Sequence, residues 1–313
     1  MTGTVAVVGS FNVDHVWRVE ALPAPGATLA GTYATGPGGK GFNQAMAARR
    51  SGAATSFVCA LGDDAGADQA RALCAADGIE LHAAPADAPT GTAGIYVDAT
   101  GTNTIVIGAG ANAALEAAFV RRVLDGTRNA RVVLAQLESP IAAVAAALEW
   151  ASAAGVLAVL NPAPANVRVA EHLLDCTGVL TPNETEFAAL LSARGVTDIA
   201  ANLVPHSDDA QLHAWCRTLL PRGTVVVTLG AAGCFVSHPD SDSRGDARRA
   251  YRVPAVPAHV VDTTGAGDAF NGALCSSFAR APGAPFRKHI EFATAYAAHS
   301  TEAAGAALAM PRA

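Results

Sequence analysis

The sequence predicts an α/β protein, a mostly parallel sheet covered by helices on both faces, with a small antiparallel sheet standing off it. Two observations carry this. Short, continuously apolar runs alternate with helical patterns over most of the 313 residues, which is how strands buried on both faces read. Two separate segments, 11–35 and 90–108, alternate with polar residues instead, as strands with one buried face do. The composition agrees: 51% hydrophobic and 15% charged residues supply a sizeable core and argue against disorder.

In chain order, "TVAVVG" (4–9) is the first buried strand, and "TLAGTYATG" closes the first off-rhythm segment. "GFNQAMAARRSG" (41–52) is a helix ended by Gly52, a frequent residue just past a helix terminus. "TSFVCALG" (55–62) is a strand and "DAGADQARALCAADG" (64–78) a helix. The second off-rhythm segment, "TGTAGIYVDATGTNTIVIG", carries the hairpin connection "DATGTN". Buried strands follow at 131–137, 155–161, 177–183 and 223–230, with helical patterns at 140–154, 184–193 and 208–220. "SHPDSDSRGDARRAYRV" (237–253) is expected to be an exposed hairpin loop, solvated by its charges. No composition break marks a linker, so residues 1–313 are expected to form a single domain, with the two off-rhythm segments as a lid or a dimer surface.

A net charge of −6, from 21 basic and 27 acidic residues, excludes general nucleic-acid or anionic-membrane binding, which needs a basic footprint. No window approaches the ~20 apolar residues of a membrane span, and the N-terminus has no basic leader; a cytoplasmic protein is expected. The cysteines, Cys59, Cys74, Cys176, Cys216, Cys234 and Cys275, form no CxxC pair. They are expected to be buried thiols, neither a zinc site nor a redox motif.

Gly36, Gly38 and Gly41 satisfy G-x-G-x-x-G, and Asp63 lies near the spacing of a dinucleotide-fold ribose acid. The strand before the glycines is polar and glycine-broken, however, so the match is expected to be false. A Walker loop also fails, because Gly41 follows Lys40 where Ser or Thr is required. Gly38 and Gly39 would instead let a polar ligand approach the backbone, with Lys40, Asn43 and Gln44 projecting from the first helical turn. Asn12 and Asp14 follow the end of the first strand and offer the donors and acceptors that a polyol needs. Ligands of open α/β sheets bind beyond the carboxyl ends of strands, so these groups could converge on one sugar. Glu138 ends another strand in "LAQLESP"; it is either a helix first-turn charge or a further ligand. Asn183 and Glu186 lie three apart in "TPNETE". They form a capping box, a polar pair touching a hydrated metal or phosphate, or both.

"VVDTTGAGDAFNGAL" (260–274) runs from an apolar strand through glycines into a helix. The amides of Gly265, Ala266 and Gly267 would cluster at that helix N-terminus as an anion hole. Asp268, with a reference pKa of about 3.9, is poorly placed to hold a resting phosphate. It is well placed to take a proton from a hydroxyl that attacks a phosphoryl group. The plainer alternative is a tight turn with an N-terminal helix charge.

The stretches "GGKGFNQAMAARRSG" and "DTTGAGDAFNGAL" resemble the two signatures of the PfkB family of carbohydrate kinases, its ribokinase-like members most closely. "GSFNVDH", "GAGANAAL", "QLESP", "NPAPA", "TPNETE" and "TLGAAG" follow the family order and extend the resemblance over nearly the whole chain. The resemblance implies a ribokinase-like three-layer sandwich with a central mostly parallel sheet and a small β-sheet lid. It implies transfer of the ATP γ-phosphoryl group to a sugar hydroxyl. It makes Asp268 the base and Gly265, Ala266 and Gly267 the anion hole. Asn12, Asp14, Gly39, Lys40, Asn43 and Glu138 would line the sugar. Asn183, Thr228, Gly230, Gly233, Gly267 and Thr294 would lie along ATP, with Thr294 standing where an Asn is common. Glu186 would order Mg2+ through water. Asp262, Thr264, Ser300, Ala303 and Gly305 would hold K+ as an activator, with Ala309 replacing a Ser at that site's edge. A homodimer through the lid is also implied.

Residues 90–110 contain no Lys or Arg, and the first lid segment has only Arg18. An unphosphorylated sugar is therefore favoured, D-ribose (to ribose 5-phosphate) first. Trp17 and Tyr96 keep a nucleoside kinase in view, fructose and 2-keto-3-deoxygluconate are further substrates of the family, and a non-catalytic sugar-binding regulator is the alternative of a different class.

Overall fold

The computed structural model describes residues 3–312. Strand β1 (Thr4–Val8) leads through Gly9–Phe11 into a second sheet, where β2 (Asn12–Arg18) and β3 (Thr32–Gly38) pair, before α1 (Lys40–Arg50) returns the chain to the main body. There follow β4 (Ala54–Leu61), α2 (Ala65–Asp77) and β5 (Glu80–Pro85), then a second visit to the lid by β6 (Gly91–Val97) and β7 (Asn103–Gly108). The remainder is α3 (Ala117–Gly126), β8 (Ala130–Ala135), α4 (Ile141–Ala153), β9 (Leu157–Leu160), α5 (Glu171–Asp175), β10 (Val179–Leu180), α6 (Glu184–Ala193), α7 (Asp209–Leu219), β11 (Thr224–Thr228), β12 (Cys234–Ser237), β13 (Ala250–Val253), α8 (Ala266–Arg280) and α9 (Phe286–Ser300).

Among the described residues the main sheet has nine strands in the order β13-β12-β11-β10-β9-β8-β1-β4-β5, parallel from β11 to β5 and antiparallel at β12 and β13. Side chains alternate across it. Val5 and Val7 join one buried cluster with α1, α2, α8 and α9, while Ala6 and Val8 join a second with α3, α4, α6 and α7. The chain leaves β1 toward β4 and β5, then comes back to β8 on β1's other side. That reversal makes the gap beyond the carboxyl ends of β1 and β8 the place where the connections diverge and a ligand can enter.

The lid is a four-strand sheet in the order β3-β2-β6-β7, so the two off-rhythm segments pair with each other and not with the main sheet. Asp64 ties its base to the body: the carboxylate accepts from Ala67 N at the start of α2 and from both the amide and hydroxyl of Thr90 at the entry to β6. Gly36 and Gly38 belong to lid strand β3, which removes the dinucleotide alternative, since no buried strand precedes them.

Two expectations need correction. Edge strand β5, "ELHAAP", and helix α9 were not anticipated; β5 is half polar and lacks the continuous apolar run used to find the other strands. The 237–253 connection is not simply solvated. His238 is fully buried, bonding Asp246 at 3.1 Å and Thr224 at 3.0 Å, and Tyr251 donates to the same Asp246 carboxylate. Arg244 reaches in to Thr224 and to the Gly178 carbonyl. Asp240, Asp242, Arg248 and Arg249 are exposed as expected, but Asp246 and Arg244 are drawn inward to partners that sequence spacing does not reveal.

Candidate active site

The gap between β1 and β8 is lined from four directions. The turn after β1 supplies Ser10 and Asn12, and β2 supplies Asp14. The first turn of α1 supplies Lys40, Asn43 and Gln44, the end of β8 supplies Gln136 and Glu138, and the start of α8 supplies Asp268. Glycine permits this convergence. A Cβ on Gly41 would stand 2.5 Å from Ser10 N, and one on Gly39 (φ +88°) would be 2.9 Å from Asn12 N. A Cβ on Gly38 would collide with the Asp14 carboxyl. Helix α1 therefore approaches the β1–β2 turn backbone to backbone. Asn112 holds that turn: it accepts from Phe11 N at 3.0 Å and donates to the Phe11 carbonyl and to Asn12 Oδ1.

Glu138 does not serve its own helix. Its Oε2 accepts from Lys40 N at 2.9 Å and Ser10 Oγ at 2.6 Å, so it caps α1, which has no side-chain cap at Gly39. Asp268, 7% exposed, accepts from Asn43 Nδ2 and from Gln44 Nε2, each at 2.9 Å. The other end of the Asn43 amide, Oδ1, is buried without a partner among the described residues. It is thus a free acceptor beside the carboxylate, suited to a sugar hydroxyl.

The charges interact strongly. Burial raises the Asp268 pKa, and the Lys40 charge and the Asn43 and Gln44 hydrogen bonds only partly offset it. Burial, with the charges of Glu138 and Asp268, pushes Asp14 up to about 7. Burial works to lower the Lys40 pKa, but the fields of Asp268, Glu138 and Glu186 prevail and raise it. Lys40 is thereby placed within electrostatic reach of both the Asn12/Asp14 side of the gap and the Glu186 side.

Helix α8 starts at Gly265, whose left-handed φ of +77° reverses the chain. Ala266 N, expected in the anion hole, donates instead to the Thr263 carbonyl at 3.1 Å, while the amides of Gly265, Gly267 and Asp268 find no acceptor among the described residues, as expected for the first turn of a helix. Gly267 is exposed, and a Cβ on it would meet nothing within 4 Å, whereas one on Gly265 would stand 2.9 Å from Ala306. The three free amides fit an anion, next to the carboxylate that would serve as base.

Asn183 and Glu186 form the capping box in full: Glu186 N donates to Asn183 Oδ1 at 2.8 Å and Asn183 N to Glu186 Oε2 at 2.9 Å. Burial raises the Glu186 pKa against the Asn183 backbone bond and the Lys40 charge. Thr228 bridges to Asn183 at the end of β11, and Gly230 (φ +50°) and Gly233 (φ +87°) shape the turn that follows. Gly233 is obligatory, because a Cβ there would enter the backbone of Val253–Ala255. Thr294 is buried on α9, and its hydroxyl has no partner among the described residues.

The group expected to hold a monovalent cation is only partly assembled by contacts. Asp262 accepts from the amide and hydroxyl of Thr264 and from Gly305 N at 3.0 Å. These bonds and the Arg18 charge outweigh burial and hold its carboxyl below the usual range. Asp262 thus joins the 262–264 and 305 segments. The Ser300 hydroxyl donates to the Ala297 carbonyl at 2.8 Å, and Ala303 is exposed. A cavity of about 790 Å3 beside α6 touches the site only at Glu186 and includes none of Asn12, Asp14, Lys40, Asn43 or Asp268 in its lining.

Sequence reasoning missed Ser10, Asn112, Gln136, Asn161, Thr181 and Asn271. For Gln136, Asn161 and Thr181 the available signal was a polar residue interrupting or ending an apolar strand run, as in "LAQLES", "VLNPAP" and "VLTPN". Trp17 and Tyr96 do not floor a base pocket. They pair across β2 and β6 and stack at 5.2 Å on the face opposite Asn12 and Asp14.

The profile of the pfkB family carbohydrate kinases matches residues 2–313. The ribokinase of Haemophilus influenzae is 35% identical over 99% of this chain and 96% of its own length. The bifunctional ribokinase/ribose-5-phosphate isomerase A of Fructilactobacillus sanfranciscensis is 40% identical over 87% of this chain, which spans about half (48%) of that longer protein. The structure of Arabidopsis thaliana ribokinase complexed with ribose and ATP is similar with a TM-score of 0.80 and 29% identity, over 99% of this chain and 96% of that one.

A carboxyl whose folded pKa is raised is ionised at a cost to the fold, so this contribution to stability is lost as pH rises from the unfolded value of 3.8 through about 7. Asp14→Asn is expected to raise Tm at pH 8 by about 1–3 °C and to change it little at pH 4. Thermal melts at both pH values check this; a lower Tm at pH 8 would contradict it.

Proposed function

The chain belongs to the pfkB family of carbohydrate kinases, and from that premise we propose that it transfers the γ-phosphoryl group of ATP to a hydroxyl of an unphosphorylated sugar, D-ribose to ribose 5-phosphate. The observation that carries this proposal is the buried Asp268 carboxylate, pointed at Asn43 and flanked by the open amides of Gly265 and Gly267. Asn12, Asp14 and Asn43 orient the sugar. Its hydroxyl oxygen forms the new P–O bond, the bond to the β-phosphate oxygen breaks, and Asp268 takes the hydroxyl proton. The raised pKa makes Asp268 a stronger base than an ordinary carboxylate. The amides and Lys40 stabilise charge on the phosphoryl oxygens in transit.

Along ATP we place Asn183, Thr228, Gly230, Gly233 and Thr294. Asn183 donates to both Glu186 oxygens and holds that carboxyl in place, which fits Glu186 ordering Mg2+ through water; the ion would neutralise phosphate charge. Asp262 is held ionised and pins Gly305 and Thr264, which fits K+ held by this carboxylate and neighbouring carbonyls. An unphosphorylated substrate is supported by the lid, whose single Arg, Arg18, acts on Asp262. Ribose is supported by the relatives named above.

The lid face opposite the sugar carries Trp17, Tyr33 and Tyr96 stacked together, with Tyr33 54% and Val106 65% exposed. An apolar aromatic face of this kind suits a second copy of the chain, and we assign it to a homodimer.

Asp268→Asn is expected to lower kcat by about 100-fold or more while ATP binding, followed by calorimetry, persists; near-normal turnover sinks the base assignment. In a panel of D-ribose, 2-deoxyribose, fructose, 2-keto-3-deoxygluconate and nucleosides, ribose should give the highest kcat/KM. A preferred nucleoside would reverse the substrate assignment. Replacing sodium by potassium should activate the wild type, and Asp262→Ala should abolish the difference; a wild type indifferent to potassium removes the cation site. Light scattering should give a dimer mass for the wild type and a monomer mass for Trp17→Glu, and a wild type that is monomeric at micromolar concentration rejects the lid interface.

A further inference from the structure

We propose that Gln44 is a positioning residue for the base, and that a buried run of side-chain amides, Gln136–Gln44–Asn161, holds the Asp268 carboxylate in its working orientation. This rests on the assignment of Asp268 as base.

The direction of every amide in the run is fixed by an acceptor that cannot turn. The Thr181 carbonyl accepts from Asn161 Nδ2 at 2.9 Å, so Asn161 must present its oxygen to Gln44. Gln44 Nε2 donates to that oxygen at 3.0 Å and to Asp268 Oδ1 at 2.9 Å, which uses both of its hydrogens. Gln44 Oε1 is thereby turned to Gln136, whose Nε2 donates to it at 2.6 Å. A reversed Gln44 would set its carbonyl against a carboxylate and another carbonyl at once. Thr181 extends the constraint the other way. Its hydroxyl donates to Asn271 Oδ1 at 2.6 Å, and Asn271 Nδ2 donates to the Gly267 carbonyl at 2.8 Å. The same run therefore reaches the anion-hole backbone.

This arrangement is costly as a stability device. Gln44 and Gln136 are fully buried, and Gln136 Oε1 has no partner among the described residues. Gly9 makes room for it, since a Cβ there would collide with that oxygen. A partly satisfied buried polar run is worse for the fold than an apolar one, which points to a task at its end. That task is electrostatic. Asp268 faces three other carboxyls, Asp14 on β2, Glu138 after β8 and Glu186 on α6, and one cation, Lys40 on α1. Gln44 supplies a fixed donor that favours the ionised carboxylate and spares one oxygen from rotating.

The test uses the full chain, ATP and D-ribose, or the panel sugar that turns over. Gln44→Met removes the donor with little change in length; Gln136→Met leaves Gln44 in place but removes the donor to Gln44 Oε1, which loosens the run behind the base without changing a group that bonds Asp268. The kcat and kcat/KM are measured against pH, with the sugar KM. Loss of the donor disfavours the ionised base, so the acid limb of kcat/KM should move to higher pH. The rate at the acid end should fall about tenfold or more below wild type, and the rate at the alkaline end should stay within about threefold. The sugar KM should change less than about threefold. A uniform loss at every pH with the limb unmoved overturns the inference and leaves the run a structural feature. If Gln44→Met does not fold, the Gln136→Met profile decides by the same criterion. Asp268→Asn, run alongside, separates the two failures. Retained turnover there refutes the base itself, whereas a dead Asp268→Asn with unmoved limbs refutes only the positioning role.

Discussion

Four carboxyls, Asp14, Glu138, Glu186 and Asp268, surround one ammonium, Lys40, at the mouth of the main sheet. Much of the local structure follows from making that cluster tolerable. Like charges at this range cannot all be ionised at ordinary pH without compensation. Each carboxyl has found a different compensation. Glu138 takes the free backbone amide of Lys40 and the hydroxyl of Ser10; Glu186 closes a capping box; Asp268 receives two side-chain amides; Asp14, with least help, is left near pH 7. The glycines at 38, 39 and 41 belong to the same solution, since they bring helix α1, with its N-terminal amides and Lys40, close enough to act.

The cluster exists because of strand order. The six parallel connections could have run outward in one direction and left β1 at an edge. Instead the chain turns back and places β8 on the other side of β1. The divergence of connections there opens the gap, and the lid covers it because β2 continues directly from β1 with only Gly9–Phe11 between. The sheet that carries Asn12 and Asp14 on one face therefore carries His15 and Trp17 on the other by simple alternation. One short strand carries both the Asn12/Asp14 face and the stacked aromatic face, and a register slip of one residue would exchange them.

What could be read in the sequence follows the same division between local and distant. The start of α8 was legible because its chemistry lies within "GAGD", and the capping box because its partners are three residues apart. The lid was legible from its change of period. Gln44 was legible as a site residue but its partners were not, and Gln136, Asn161 and Thr181 were missed, because each bonds a partner on a distant element that its own stretch of sequence does not reveal. The pairing of His238 with Asp246 and Tyr251 was hidden for the same reason. A polar residue at the end of an apolar strand is the sign that Gln136, Asn161 and Thr181 share; Asn112 and Asn271, on helical segments, lack it.

The question raised by an aspartate beside an anion hole is then one of electrostatic balance. A site with four carboxyls repels a resting phosphate, and the positive elements facing it, Lys40 and the first amides of α8, are modest by comparison. Strong retention would in any case work against catalysis, because only interactions that strengthen as the phosphoryl group moves accelerate the transfer. Amides left without an acceptor are fixed in advance and need no reorganisation when charge develops before them. In the proposed transfer, two donated hydrogen bonds favour the ionised Asp268 against its burial, and it accepts a proton once the hydroxyl begins to attack. The acid and the anion hole are compatible because they meet the same group at a moment when it is neither bound nucleotide nor bound product.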